Sequence, residues 1–202
     1  MYLLKFKTIV LTIALMVSSL AMAQHDHAAH NDGHHHTTHE EEHAVAHGKH
    51  KIAAFVGFTH VDAAFYEHET QEESTGKWIP TLGFEYYYTM SKRFDLGLIA
   101  DVELDNYYIR TGDENDLTRN NILVMAAVAR YKPIHRLGVF AGPGFETEFI
   151  EDEESKSFFV FKVGLDYEVE IENGWEITPI ISYDFKEEYA SYSFGVSVGK
   201  RF

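Results

Sequence analysis

The sequence contains no cysteine, only four prolines and few basic residues. The absence of cysteine excludes a disulfide framework and any thiolate chemistry. Its 17 lysines and arginines stand against 32 aspartates and glutamates, which gives a formal net charge of -15. Because there is no basic stripe to neutralise phosphates, the chain is not expected to bind nucleic acid.

Long hydrophobic runs are also missing, apart from a short one at the amino terminus. There, Lys5 and Lys7 precede an apolar run over residues 9–17, and residues 21–23 read Ala-Met-Ala. The run is shorter than the roughly 20 residues of a spanning helix, so residues 1–23 are predicted to be a secretory signal peptide. No other stretch is long enough to form a spanning helix, so any membrane integration would have to use closed β-structure.

Histidine is concentrated in one segment of the chain. Residues 24–50 contain ten of the 13 histidines, mixed with Asp, Glu, Ala, Gly and Asn, and almost no large apolar residue. This composition cannot bury a core, so the segment is predicted to be disordered when no ligand is bound. The folded domain is expected to cover residues 51–202, where aromatic and β-branched residues dominate.

Apolar and polar residues alternate in eight segments of the folded domain. Alternation with a period of two predicts strands that have one apolar face and one polar face. The predicted strands cover residues 52–65, 78–89, 94–109, 120–132, 137–150, 158–171, 175–185 and 191–202. The first of them does not alternate cleanly around residues 57–62, where a bulge or a shifted register would account for the pattern.

The connections between these segments alternate in length. Short connections lie at residues 91–93, 133–136 and 172–174, and long charged connections lie between the other neighbouring segments, with a shorter one after residue 185. Short turns at one end and long loops at the other are typical of an up-and-down barrel in an outer membrane, with the short turns in the periplasm. Aromatic residues also gather near the predicted strand ends, as girdles at the two bilayer interfaces would require.

The last segment alternates apolar residues with serines and glycines and ends on Phe202. Tyr192, Phe194 and Val196 share one face of this strand. Together with eight strands and a signal peptide, the pattern resembles the small outer-membrane barrels of the OmpA/OmpX type, over residues 51–202. The resemblance implies an eight-stranded antiparallel transmembrane β-barrel in the outer membrane of a Gram-negative bacterium. It also implies contact with outer-membrane lipids and recognition of the last strand by the barrel assembly machinery.

An even number of strands returns the chain to the side of the membrane on which it started. Both mature termini are therefore expected in the periplasm, and the barrel is expected to be monomeric. The histidine segment would then lie on the periplasmic side.

The histidine segment is the strongest chemical signal in the sequence. Imidazole nitrogen suits Zn²⁺ and Cu²⁺, and spacings of one, three and four residues let two rings reach one ion. The candidate ligands are His25, His27, His30, His34, His35, His36, His39, His43, His47 and His50. The alternative interpretation is a hydrophilic spacer whose histidines only adjust charge near neutral pH. No cofactor is required in either case.

A second group of candidates is the set of acidic residues on the polar strand faces. They are Glu85, Asp95, Asp101, Glu103, Glu146, Glu148, Asp166, Glu168, Glu176 and Asp184. An eight-stranded barrel is just wide enough for its own side chains, so these carboxylates are predicted to form an internal salt-bridge network with Lys162, Arg201 and Tyr87. A cation path or an interior metal site is the alternative.

Two other classes of protein remain open at this point. Some small outer-membrane barrels modify lipid A with a histidine, a serine and an acid, which makes His60 a candidate, although no triad is evident. A soluble ligand-holding barrel would place its apolar face inside, and alternation alone does not distinguish the two orientations. The favoured interpretation is a non-enzymatic outer-membrane barrel whose histidine segment binds zinc or copper. A porin-like or purely structural barrel is the remaining alternative.

Overall fold

The computed structural model describes residues 48–66, 76–110, 117–148 and 157–202. Its main elements are eight long antiparallel strands, which are numbered here in chain order. They are β1 (His50–Val61), β2 (Lys77–Ser91), β3 (Phe94–Ile109), β4 (Leu117–Ile134), β5 (Leu137–Glu148), β6 (Ser157–Tyr167), β7 (Trp175–Lys186) and β8 (Ala190–Arg201). Two short segments extend this sheet, since Ala64–Phe65 pairs with β3 and Val169–Glu170 pairs with β7.

The sheet closes on itself. Each strand pairs with the next one along the chain, and β8 returns to pair with β1 from Lys51 opposite Arg201 to Val61 opposite Ser191. Closure leaves no unpaired sheet edge, so the backbone groups of the strands are satisfied by their neighbours. The predicted eight-stranded up-and-down barrel is therefore confirmed.

Most predicted strand bounds lie within about three residues of those in the structure, but the predicted first and sixth strands run past the ends of β1 at Val61 and β6 at Tyr167. The first strand begins at His50 rather than at residue 52, and β4 begins at Leu117 rather than at residue 120. The bulge or register shift considered for the first strand is absent, because β1 pairs with β2 and β8 in unbroken register. Its alternation is blurred for another reason: Phe55 points inward and His60 lies on the outer face.

The polar face of every strand points into the barrel, and the apolar face points outward. Asp95 is fully buried, whereas Leu98, three residues later on the opposite face, is 57% exposed. The same contrast holds for Lys162 against Phe161 on β6 and for Glu176 against Ile177 on β7. This orientation is the reverse of a soluble ligand-holding barrel, and that alternative is wrong.

The interior also contains apolar side chains that pack over glycines on facing or neighbouring strands. A methyl group on Gly97 would lie 2.4 Å from Cε1 of Tyr87, and one on Gly164 would lie 2.2 Å from Cζ of Phe140. Tyr87 and Phe140 belong to one buried apolar cluster, with Ile99, Ala126 and Val128. Glycine is required at these positions because the rings occupy the space of a side chain.

Three tight connections, the start of β1 and the end of β8 lie at the same end of the barrel, which we call the turn end. The connections are Lys92 with Arg93, His135 with Arg136, and the 3₁₀ turn Glu172–Gly174. Arg136, Asn173 and Gly174 have positive φ angles of 84°, 63° and 76°. The opposite end, where the longer connections lie, is called the loop end. Among the described residues, no helix is long and apolar enough to cross a membrane.

A local irregularity in β4 changes the direction of one side chain. Asn121 has a φ of 47°, and the register between β3 and β4 shifts between the pairs Glu103 with Ile122 and Asn106 with Asn120. As a result, Arg119 and Ile122 both point inward although they are three residues apart. The extra residue lies on β3, where Leu104 and Asp105 together oppose Asn121, and the positive φ of Asn121 reverses the parity of β4 beyond it.

Replacing Asn121 tests the bulge. Asn121→Val is expected to lower the free energy of unfolding by about 1–2 kcal/mol, because a β-branched residue is strained at positive φ. Asn121→Gly is expected to keep the stability of the parent protein, because glycine adopts this conformation freely. Urea titration of the folded protein in detergent measures both, and equal stability of the two variants would contradict the bulge.

Candidate functional site

The charged interior of the barrel is the candidate site that the described residues form. All ten carboxylates predicted to face the interior do so. Seven basic side chains join them: Lys51, Arg119, Arg130, Lys132, Lys162, Lys186 and Arg201. These groups form three layers along the barrel axis.

The layer at the turn end is centred on Arg130. Its Nη1 lies 2.9 Å from Oδ2 of Asp95 and 3.2 Å from Oε1 of Glu168. Its Nε donates to Oδ2 of Asp166 at 2.7 Å, and its Nη2 donates to the other oxygen of the same carboxylate. Lys132 Nζ approaches Asp95 Oδ1 at 3.0 Å. The Arg130 guanidinium therefore binds carboxylates from β3, from the end of β6 and from Glu168, which follows β6.

The same layer continues across the barrel to β1, β7 and β8. Lys51 Nζ lies 3.1 Å from Glu168 Oε1 and 2.7 Å from Glu176 Oε2. Arg201 donates from Nε to Glu176 at 2.8 Å and from Nη2 to Glu168 at 2.9 Å. The ring of Tyr87 packs beneath two of the cations, with centroid distances of 5.9 Å to Lys51 and 5.8 Å to Arg130. Four bases and four carboxylates balance in this layer.

The middle layer contains one lysine and three carboxylates. Lys162 Nζ lies 2.9 Å from Asp184 Oδ1 and 3.1 Å from Asp101 Oδ2. Glu85 accepts a hydrogen bond from Ser197 Oγ at 2.6 Å. A cavity with about 10 Å³ of free volume is lined by Glu85, Asp101, Lys162 and Ser182, among others. That volume is about the space needed for one water molecule.

The layer at the loop end joins three carboxylates to Lys186 and Arg119. Lys186 Nζ lies 2.6 Å from Glu146 Oε2 and 3.3 Å from Glu103 Oε1. Arg119 Nη2 lies 2.9 Å from Glu146 Oε1, and its Nη1 donates to Glu148. The hydroxyl of Tyr189 donates to Glu146 at 2.9 Å. Above this layer, an apolar cluster that includes Val61, Ile79 and Ile109 covers the loop end.

The predicted internal network is therefore present, and most of its basic members were not predicted. Lys186 shares the parity of Glu176 and Asp184 on β7, so alternation contained a signal for it. Lys51, Arg130 and Lys132 lie on β1 and β4, which contain no Asp or Glu to mark the inner face. Arg119 has the opposite parity and points inward only because of the bulge at Asn121. The ten carboxylates exceed the seven bases by three, and the excess lies in the middle and loop-end layers.

The interior is arranged to fill space and pair charges. Each basic group in it contacts at least one carboxylate, and several carboxylates are shared by two bases. Within the described ranges, no group of three or more His, Asp or Glu side chains has an arrangement that could hold a metal ion. The acid excess gives the inner wall a negative potential that favours cations over anions.

Nine of the ten candidate metal ligands, from His25 to His47, lie outside the described residues. His50 is described, and it is the first residue of β1. Its Nδ1 is 2.8 Å from the hydroxyl of Tyr86, and its ring stacks against Phe202 with a centroid distance of 5.9 Å. The histidine segment therefore meets the barrel at the turn end, where the backbone of His50 pairs with that of Phe202.

His60, the catalytic candidate, lies on the outer face near the loop end. Its ring packs against Trp78 at 4.4 Å and Tyr192 at 4.9 Å, and its Nδ1 is 2.9 Å from Asp62 Oδ1. Among the described residues, no serine or threonine hydroxyl forms a hydrogen bond with His60. His135 is exposed in a tight turn, with Nε2 3.7 Å from Glu170 Oε1, and His68 lies outside the described residues.

Comparison with known proteins gives similarity of structure and none of sequence. No model of a protein family and no curated protein matches this chain. The N-terminal β-barrel domain of Pseudomonas aeruginosa OprF has 12% identity and a TM-score of 0.46, over 77% of this chain and 99% of that one. Ail of Yersinia pestis has 13% identity and a TM-score of 0.44 over 77% and 99%. Outer membrane protein W of E. coli has 16% identity and a TM-score of 0.42 over 77% and 100%.

Removing the central base of the turn-end layer tests the internal network. Arg130→Met is expected to lower the free energy of unfolding by about 3–5 kcal/mol, because it leaves buried carboxylates without their partner. The matched control is Arg136→Met, an exposed position where the change is expected to stay within about 0.5 kcal/mol.

A second substitution identifies the cause of that loss. Arg130→Met combined with Asp166→Asn is expected to recover part of the stability, because the two changes remove both members of one pair. Urea titration of the folded protein in detergent measures both single changes, the double variant and the Arg136→Met control. A double variant that is destabilised by the full sum of its single changes would contradict coupling between these groups.

Proposed function

We propose that this protein is an integral outer-membrane β-barrel that anchors a metal-binding histidine segment on the periplasmic side. The observation that carries the proposal is the orientation of the barrel's two faces, with paired charges inside and apolar side chains outside. This is the reverse of a soluble barrel. The barrel supplies attachment, and the segment of residues 24–50 supplies the chemistry. We further propose that the protein is a monomer without enzymatic activity.

The outer surface of the barrel supports membrane integration. Thirty large apolar side chains are exposed among the described residues, and all eight strands contribute to them. Val56 is 60% exposed, Leu98 is 57% exposed and Ile181 is 53% exposed. Soluble monomers rarely expose apolar patches larger than a few hundred Å². Hydrocarbon tails are the solvent that such a continuous surface fits, and closure of the sheet removes the unpaired backbone groups that lipid does not tolerate.

The packed interior supports an anchor rather than a pore. Arg130 and Lys51 cross the turn-end layer, and Arg119 and Lys186 cross the loop-end layer. Eight strands enclose just enough space for such side chains, whereas water-filled channels need about 16 strands or more. Opening a path would require breaking several buried ion pairs at once.

The connection lengths support the orientation of the barrel. Short turns of outer-membrane barrels lie in the periplasm and their longer loops lie outside the cell. The turn end carries the tight connections at Lys92 with Arg93 and at His135 with Arg136, and β1 also begins there at His50. The histidine segment that precedes β1 would therefore be periplasmic. The last strand, with its alternate apolar residues up to Phe202, is the segment we propose for recognition by the barrel assembly machinery.

The chemistry of the histidine segment supports transition-metal binding. Neutral imidazoles are ligands for Zn²⁺ and Cu²⁺, and His39, His43 and His47 recur at the spacing of one helical face. Glu40 and Glu42 lie between them and supply oxygen donors or partners for the other ring nitrogen. Ten histidines in one segment fit several weak sites better than one fixed tetrahedral site. Buffering or delivery of zinc or copper follows as the proposed role.

A charge on the outer face tests membrane integration. Val56 lies at the centre of β1, between Leu82 and Val196 on the neighbouring strands. In lipid vesicles, Val56→Arg is expected to lower the free energy of unfolding by about 2–4 kcal/mol, the cost of a charge near the bilayer midplane. Val56→Leu is the matched control and is expected to be close to neutral. In water the same arginine would change stability by less than about 0.5 kcal/mol, so a neutral result would contradict the proposal.

Metal titration of the full-length protein tests the second half of the proposal. Calorimetry with Zn²⁺ or Cu²⁺ at pH 7.5 is expected to show binding at micromolar metal with release of protons. Binding is expected to weaken below about pH 6, where the imidazoles become protonated. Substituting His39, His43 and His47 by Asn is expected to lower the number of ions bound, whereas His60→Asn and His135→Asn are matched controls. No response at micromolar metal would leave the spacer interpretation.

A further inference from the structure

Five basic side chains surround the turn end of the barrel and have no acidic partner. Lys49, Lys92, Arg93 and Arg136 are exposed, and Lys200 is partly exposed. Within the described part of the chain, none of the five forms an ion pair with a carboxylate. This distinguishes them from the basic groups of the interior, each of which is paired. We call these five residues the basic rim.

The basic rim extends around most of the turn end. Lys49 and Lys200 lie where β1 meets β8, Lys92 and Arg93 form the β2–β3 turn, and Arg136 lies in the β4–β5 turn. Two acids described at this end, the partly exposed Glu170 and the exposed Glu172, lie at the remaining connection, between β6 and β7. The basic rim thus covers the β8–β1 closure and two of the three tight connections at this end.

The opposite end has the opposite charge. Asp62, Glu187 and Glu188 are exposed there. The sequence of the three long connections, residues 67–75, 111–116 and 149–156, adds eleven acidic residues and one lysine. The net charge of the chain is -15, so five bases grouped at one end of the barrel are not a consequence of composition. Exposed bases of one sign at this end give the rim a positive potential that attracts anions.

Aromatic rings lie beside the basic rim on the outer face. Lys200 Nζ lies 5.6 Å from the centroid of Trp175, and Phe94 packs against Tyr131 with centroids 6.0 Å apart. Trp175 and Phe94 are each about 41% exposed. Aromatic side chains and long basic side chains together occupy the boundary between hydrocarbon and headgroups, the rings in the boundary and the cations reaching the phosphates.

We propose that the basic rim binds anionic phospholipid headgroups, such as phosphatidylglycerol, in the leaflet that contacts the turn end. The inference rests on the proposed membrane integration. The negative charge of a phosphodiester is opposite to that of the basic rim. A lipid leaflet would present such phosphates near the level of Trp175 around the barrel. Each Lys or Arg near an anionic leaflet adds attraction, so several together produce selectivity. The remaining connection, with Glu170 and Glu172, adds no base of its own, but Lys200 lies beside Trp175, the residue that follows this connection.

The two tryptophans allow a direct test, because they lie at opposite ends of the barrel. Trp78 is near the start of β2 at the loop end, and Trp175 is at the turn end. In the full chain carrying Trp78→Phe, Trp175 is the only tryptophan and reports on lipids beside the rim. The protein is folded into phosphatidylcholine vesicles that contain a fraction of phosphatidylglycerol. Quenching of Trp175 is then compared with brominated acyl chains on one lipid or on the other.

Phosphatidylglycerol is expected to associate about threefold more strongly than phosphatidylcholine, and the preference is expected to fall at high salt. Changing all five residues of the basic rim, Lys49, Lys92, Arg93, Arg136 and Lys200, together to Gln is expected to bring the ratio to about one. The matched control at the other end, Glu187→Gln with Glu188→Gln, is expected to leave the ratio unchanged.

Three outcomes would overturn the proposal. Equal quenching by both lipids in the parent protein would show no selectivity, and a preference that survives the fivefold variant would place its origin elsewhere. A ratio near one that rises when Glu40, Glu41 and Glu42 are changed to Gln would mean that the chain's own acidic run covers the rim. Absence of quenching by either lipid is a different failure, because it would show that the barrel is not embedded.

Discussion

Pairing of buried charges inside a closed cylinder of strands is the interaction on which this structure depends. A charge taken out of water is costly unless a partner of opposite sign and further hydrogen bonds accompany it. The interior meets this condition by sharing, since Glu168 contacts Lys51, Arg130 and Arg201, and Glu146 contacts Lys186 and Arg119. Strands far apart in sequence are tied together by these contacts.

Because charges occupy much of the interior, most large apolar residues lie on the outer surface, and two buried apolar clusters lie inside. Phe140 and Tyr87 belong to one of these clusters, and they fit there because glycines on neighbouring strands make room for them. The same arrangement closes the lumen. Function is therefore expected at the ends of the barrel rather than along its axis, and both His50 and the basic rim lie at the turn end.

Much of the fold was predictable from alternation, because a period of two is the geometric signature of a strand. The ten interior carboxylates were predictable on the same ground. Arg119 was not, because a bulge at Asn121 reverses the parity of β4 and its position follows from pairing with β3. His60 was not placed either, because packing with Trp78 and Tyr192 depends on the registers of β1 with β2 and β8.

The sequence by itself determined which residues share a face, where the chain turns, and that the histidines gather in one segment before the first strand. It did not determine which face points inward, since alternation is unchanged when a barrel is turned inside out. Tertiary structure decided this, because pairing of β8 with β1 closes a cylinder whose interior contains the ion pairs and whose exterior carries the apolar residues. The partners of each charge were likewise decided by strand register, which brings together groups that local sequence cannot relate.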